Sequence, residues 1–225
     1  MTLPLARNIR LPLMNLLRLK GLPILQQLHI EERLLRTSLD NWCIINDGTD
    51  ALTTVMGISG KPLELLELEF VIQDEIPVIR RFTGGGTVIV DQGTIFVTFI
   101  CNKDVIPTVQ PYPRPIMNWS SLLYKEIFEG IGDFHLRENG TFMKLQDACY
   151  QLALDYVFGD RKFGGNAQSI TKNRWIHHTS FLWNYDVKSM AYLKLPLRAP
   201  TYRSVCSLFS YLSFVFLFLY ITCID

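Results

Sequence analysis

The spacing of apolar residues changes period several times along the chain. In LQQLHIEERLLRTSL, from Leu25, apolar residues fall at Leu25, Leu28, Leu34, Leu35 and Leu39, with Glu31 and Glu32 between them. That spacing predicts an amphipathic helix. NWCIIND, from Asn41, predicts a strand entering a turn at Asp47-Gly48, and LTTVMGIS, from Leu52, predicts a second strand with Gly60-Lys61-Pro62 marking its exit. PVIRRFT and TVIVDQGTIFVTFIC predict strands on either side of Gly84, Gly85 and Gly86. Pro107, Pro111, Pro113 and Pro115 mark a loop. MNWSSLLYKEIFEGIG then predicts a helix stopping at Gly130 to Gly132, with Asn118 or Ser120 available as its cap. DYVFGDRKFGGNAQSI and RWIHHTSFLWNYD predict two strands joined by a basic turn. Stretches rich in strands with helices grouped between them point to an α+β fold rather than a regular βαβ array.

The 225 residues suffice for one sizeable core or two small ones, and a net charge of +1 gives no reason to expect a nucleic-acid partner. Five scattered cysteines form no CxxC or Cys/His cluster, so neither a disulfide framework nor a structural zinc site is expected, and a reducing compartment follows. The ends differ from the middle. The first thirty residues hold Arg7, Arg10, Arg18 and Lys20 and no acid. Residues 1–16 therefore read either as a basic leader of mitochondrial type or as a basic first element of the fold, and the compartment as mitochondrial or cytoplasmic. VCSLFSYLSFVFLFLYITCI, Val205 to Ile224, carries no charge over 20 residues, about 30 Å if helical. It could be a membrane anchor with the basic flank cytoplasmic, a buried element, or a replacement for another C-terminus. We expect the last, and poor solubility with it.

Three segments carry candidate chemistry. In RRFTGGGTVIVDQG, from Arg80, three glycines let the backbone take positive φ and let a ligand approach bare N–H groups, with one of the two arginines facing the site. A tight hairpin or hinge would use the same residues. The absence of Gly-Lys-Ser/Thr and the following strand exclude a P-loop or a Rossmann turn. In DRKFGGNAQ, Lys162 stands beside Gly164-Gly165, where an ammonium could neutralise charge on a carbonyl or phosphate oxygen, or simply be solvated. His177 and His178 are strand neighbours and face opposite ways, which argues against a shared metal.

The order of these segments resembles the lipoate–protein ligase A family of the biotin/lipoate ligase superfamily. HIEERLLR is similar to its first-helix pattern, TVMGISGKPLELLELE to its strand ending in Gly, and RRFTGGGTVIVDQG to its Arg-Arg-x-Ser/Thr-Gly-Gly-Gly-Ala-Val-x-His-Asp-x-Gly segment. DRKFGGNAQ with RWIHHTSFLWNYD is similar to its Arg-Lys-x-x-Gly-x-Ala…His-His-Gly segment. The resemblance runs from about Leu17 to Tyr202, within a catalytic domain of residues 17–204, with 140–154 as an apparent insertion between Asn139 and Asp155. It implies a class II synthetase-like α+β fold with a mixed, largely antiparallel sheet. It implies activation of lipoate by ATP, with Mg2+, to lipoyl-adenylate and transfer to a lysine of a lipoyl carrier domain, such as a 2-oxoacid dehydrogenase E2 or the glycine-cleavage H protein. Arg81, Gly84, Gly85, Gly86, Thr87, Val88 and Ile89 would contact the acyl-adenylate, and Lys162 its carboxyl and phosphate as the catalytic residue. The chain departs from the pattern at Val90, Thr94 and Thr179, where the family often has His, Asn and Gly. No C-terminal accessory domain is recognisable, so a partner in trans, transfer of a preformed acyl donor (lipoyl or octanoyl), or a non-catalytic binding protein are the alternatives.

Overall fold

The structure, a computed structural model, describes residues 13–143, 151–159, 161–184 and 186–194. Along the chain these form β1 (Met14–Lys20), α1 (Ile24–Thr37), β2 (Asn41–Asp47), β3 (Thr53–Met56), two short helices α2 (Pro62–Leu65) and α3 (Leu68–Gln73), β4 (Val78–Arg80), β5 (Val88–Val90), β6 (Thr94–Asn102), α4 (Pro113–Ile127), β7 (Phe134–Met143), β8 (Gln151–Phe158), β9 (Arg161–Ile170), β10 (Arg174–Leu182) and a 3-10 helix, Val187–Tyr192. Seven strands make one sheet in the order β1-β2-β6-β10-β9-β8-β7, and β4-β3-β5 make a second. Only the β1–β2 and β3–β4 pairs are parallel among the described strands. The architecture is α+β, with a mixed and mainly antiparallel large sheet.

Two layers cover that sheet. β6, TIFVTFICN, is buried along almost its whole length because both of its faces are covered. On one face α4 delivers Ile116, Met117 and Tyr124 onto Cys43, Ile45, Val97, Phe99, Trp175 and Phe181. Rings there meet edge to face, as Tyr124 does on Tyr156 (5.2 Å) and on Phe181 (4.8 Å). On the opposite face α1 lays Ile24 and Leu28 on Val55, Val90 and Phe96, and Leu35 on Ile44, Ile100 and Ile176. The alternation Cys43-Ile44-Ile45 thus serves both layers.

Several sequence expectations change. TVIVDQGTIFVTFIC is two strands in different sheets, broken where the Asp91 carboxylate accepts from the Gly93 N–H (2.8 Å) and where the chain at Gly93 passes against Asn184. DYVFGDRKFGGNAQSI is likewise β8 and β9, with Gly159 at φ +54 in the turn. Neither Asn118 nor Ser120 caps α4. The helix begins at Pro113 after Tyr112, because proline is tolerated in a first turn whose N–H groups have no intrahelical acceptor. Ser120 is buried in the helix interior. Met14–Leu16, read either as the end of a leader or as part of a basic first element of the fold, belong to β1, which pairs in parallel with β2. Residues 140–143 and 151–154 continue the β7–β8 ladder, and 144–150 lie outside the described residues. So does the apolar segment 205–224. Among the described residues no helix is long and apolar enough to cross a membrane.

Candidate functional site

The glycine run follows β4 as a loop held mostly by one side chain. Arg80 is exposed and donates to the carbonyls of Ile58 and Gly60. Arg81 is buried, and its guanidinium donates to the Gly84 carbonyl (2.9 Å), the Gly86 carbonyl (2.7 Å) and the Val55 carbonyl (3.3 Å). Burial pulls the Arg81 pKa down to about 10. Arg81, expected as a phosphate partner, is thus largely committed to bracing the loop, because a planar fork of donors matches several carbonyls at once.

Two of the bare positions are demanded by the protein itself. Gly85 has φ +99, and a Cβ on it would stand 2.9 Å from Arg81 Nη2 and 3.3 Å from the Asn166 carbonyl. A Cβ on Gly57 would stand 2.2 Å from the Gly85 carbonyl. What comes close to the loop there is the end of the strand at Gly57 and the backbone of β9. Gly86 differs: a Cβ there would meet nothing within 4 Å, and at Gly84 only the Gln168 carbonyl at 3.9 Å. Of the residues that follow, Val88 and Val90 pack towards Ile24, Leu28 and Phe96, so Val90 is a core side chain where the resemblance has His. Ile89 is buried, and the Thr87 hydroxyl is buried without a partner.

Lys162 reaches the same side of the sheet through an irregularity in β9. Tyr156 pairs with Gly164, but Val157 pairs with Lys162, so Phe163 is one residue too many and forms a β-bulge. Beyond the bulge, Gly164 lies beneath Phe181 and Tyr156, whose rings would stand 3.2 to 3.3 Å from a Cβ there. Phe163 also packs into that aromatic core, 5.2 Å from Phe181. Were residues 162–164 to alternate regularly, Lys162 would share the face of Gly164. With the bulge, Lys162 shares the face of Val157 and Asp155, and its ammonium pairs with the buried Asp155 carboxylate. Gly165 and Ala167 present their positions on that same face, and Ala167 is in contact with the glycine loop at Gly85. A strip of small residues on β9 therefore runs from Lys162 to the loop, four residues away at Asn166, or about 13 Å.

The histidines lie back to back. His177 faces α4, where the Ser120 hydroxyl (3.2 Å), the Tyr156 hydroxyl (2.9 Å) and the Gln168 amide (3.0 Å) surround its ring. Burial lowers its pKa to about 3. Thr179, in place of the family's Gly, accepts from the Tyr124 hydroxyl at 3.0 Å. His178 faces α1, between Glu31 (3.1 Å) and Thr83 (3.0 Å). Segments quoted for three different motifs thus meet in one buried contact chain. Glu31, Asp155 and the Phe163 bulge were not singled out from the sequence. The helix pattern marks Glu31 as a polar residue among leucines, but nothing local announces a bulge.

Fold and site together define an α+β domain in which an arginine-braced glycine loop and a lysine share one sheet face. The chain belongs to the lipoyl protein ligase A/B catalytic domain family, whose model matches residues 23–212. It is similar to the inactive lipoate–protein ligase 2 of Plasmodium falciparum, at 29% identity over 192 residues, which cover 74% of this chain and 47% of that protein. The chain spans about half the length of the curated relatives it matches, 47% and 45%. Among solved structures it resembles lipoate-protein ligase A bound with ATP, with a TM-score of 0.64, 19% identity, and coverage of 82% of this chain and 72% of that one. It also resembles the bi-partite lipoate protein ligase of Thermoplasma acidophilum, studied with its E2 lipoyl domain, with a TM-score of 0.59, 18% identity, and coverage of 82% and 68%. At such identities these likenesses establish the fold.

Proposed function

We propose that the chain acts as the catalytic domain of a lipoate–protein ligase. It would activate lipoate with ATP to lipoyl-adenylate and pass the lipoyl group to a lysine on a lipoyl carrier domain. The observation that carries this reading is the strip of small residues on β9 joining the loop to Lys162. An acyl-adenylate lying along it would have its acyl phosphate within reach of the ammonium.

Each residue then has a physical task. Gly84 and Gly86, the two loop positions with open space, offer backbone to the ligand, while Arg81 keeps the loop in shape from behind. Thr87 brings a free hydroxyl to the loop's exit. Lys162 is neutralised by Asp155 in the ligand-free protein; on binding, the anionic phosphate and carboxyl oxygens would compete for the same ammonium. There it offsets charge as pyrophosphate leaves and again as the carrier lysine attacks the acyl carbon, displacing AMP. Magnesium would enter with ATP and supply positive charge against its phosphates. Among the described residues no group of three or more His, Cys, Asp or Glu gathers to hold a metal unaided.

A second reading has one observation in its favour: a similar protein is named inactive. A chain that binds the ligand without turning it over would keep the loop and lose the chemistry. ATP–pyrophosphate exchange dependent on lipoate tests the first half-reaction. Acyl transfer from purified lipoyl-adenylate to a lipoyl domain tests the second. Absence of both in a folded protein that still binds the adenylate would establish the binding-only reading.

A further inference from the structure

We infer that Glu31 and His178 are positioning residues that hold the glycine loop in its ligand-ready shape through the hydroxyl of Thr83. This rests on the reading that the loop receives the acyl-adenylate. All three side chains are buried, and each comes from a different part of the fold: α1, β10 and the residue before Gly84.

The hydrogen bonds form one continuous chain. One Glu31 oxygen accepts from the Gln27 amide (2.7 Å) and the Thr98 hydroxyl (2.6 Å). The other lies 3.1 Å from His178 Nδ1. Nε2, at the other end of the ring, meets the Thr83 hydroxyl across 3.0 Å, and a hydroxyl can serve as either partner there. The ring has little freedom to turn: Phe96 meets it edge to face at 5.7 Å. Gln27 is held in turn by Asn46 (2.9 Å), whose own amide also donates to the Leu22 carbonyl. The chain of contacts thus begins at the entry to α1 and ends one residue before the glycines.

Thr83 is the right place to steer the loop. Its carbonyl accepts from the Ile58 N–H (3.0 Å), and the next N–H, of Gly84, donates to the Gln168 carbonyl (3.3 Å). Arg81 braces the loop through carbonyls, mainly those of Gly84 and Gly86, three and five residues onward. That brace is anchored to the small sheet through the Val55 carbonyl. The Thr83 hydroxyl is the polar side-chain contact that links the loop to α1 through the large sheet, beside the apolar packing of Phe82 against the Leu35 cluster. Glycines have little backbone preference of their own to keep such a loop in one shape, so the Thr83 tether adds to the Arg81 brace in fixing its geometry.

The test uses Thr83→Val, which keeps the volume and removes the hydroxyl, and Thr83→Ser, which keeps the hydroxyl, both in the full chain. Hydrogen exchange is measured without ligand over residues 83–88 and, as an internal control, over Thr94–Asn102. Loss of a buried hydrogen bond should speed loop exchange about ten- to hundredfold in Thr83→Val. The control strand should not change, and Thr83→Ser should stay within about threefold of wild type. His178→Leu, which removes the ring nitrogen that meets the Thr83 hydroxyl, should reproduce the faster loop exchange of Thr83→Val. Affinity for a non-hydrolysable lipoyl-sulfamoyl adenosine should fall in parallel. Loop exchange unchanged in Thr83→Val, or raised equally in β6, overturns the positioning role. Failure of wild type to bind the analogue removes the ligase reading instead, and the exchange measurement still decides whether Thr83 tethers the loop.

Discussion

Gly86→Val separates what the loop does for the fold from what it does for a ligand. A Cβ at Gly86 meets nothing within 4 Å, and its φ is not positive. The folded protein should therefore accept valine within about 0.5 kcal/mol. For a domain of this size that is a change in Tm of about 2 °C at most. Gly85→Ala is the matched control. Its φ of +99 and its 2.9 Å approach to Arg81 Nη2 mean that a methyl must strain the backbone and push on the brace. A cost of about 1–3 kcal/mol follows, or roughly 2–10 °C. Calorimetry of both variants, with titration of lipoyl-sulfamoyl adenosine, gives stability and affinity independently. Gly86→Val should melt like wild type and lose at least about tenfold in affinity, the equivalent of ~1.4 kcal/mol. Gly85→Ala should lose both. If Gly86→Val binds the analogue as wild type does, the open face of the loop is not where the ligand lies. If Gly85→Ala melts like wild type, the packing argument is wrong.

Lys162→Met should lower acyl transfer from lipoyl-adenylate about 10²–10³-fold. Its cost in stability should be about 1–3 kcal/mol, because the ammonium is a quarter exposed but its loss leaves the buried Asp155 carboxylate without that partner; transfer within threefold of wild type by the folded variant would refute its role. His177 is held neutral by burial at a pKa of about 3, against an ordinary 6.5. Below pH 6.5 the unfolded chain takes up a proton that the native state refuses, so this stability is complete above 6.5 and is lost as pH falls towards 3. Urea unfolding should show a loss of about 2 kcal/mol between pH 6.5 and 5 that His177→Gln lacks. Equal slopes for the two proteins would show that His177 is not held in this way.

Much of the architecture was legible because period and composition coincide with burial. The 41–47 strand sits where its unbroken apolar stretch ends at Asp47-Gly48, and α1 differs from its expected span only at its ends. The backs-to-each-other arrangement of His177 and His178 needed only the two-residue period of a strand. β1 and β7 were missed. MNLLRLK and FHLRENGTFM lack clean alternation, and each is an edge strand of the large sheet, defined by its one partner rather than by its own pattern. The start of α4 was missed because prolines read as a loop until their place in a first turn is known.

The sequence alone determined which residue types stand ready: a glycine run after two arginines, a lysine before a glycine pair, adjacent histidines, and a glutamate among leucines. Tertiary structure decided what each is for. Arg81 became a brace because burial next to carbonyls left its donors no water to prefer. Gly85 is bare for the sake of Arg81 and β9, while Gly86 is bare towards open space; three identical letters hide that difference because it depends on chains distant in sequence. Lys162 shares the loop's face of the sheet because β9 bulges at Phe163 instead of alternating regularly, and a bulge is a mismatch between two strands that neither strand's sequence can show by itself.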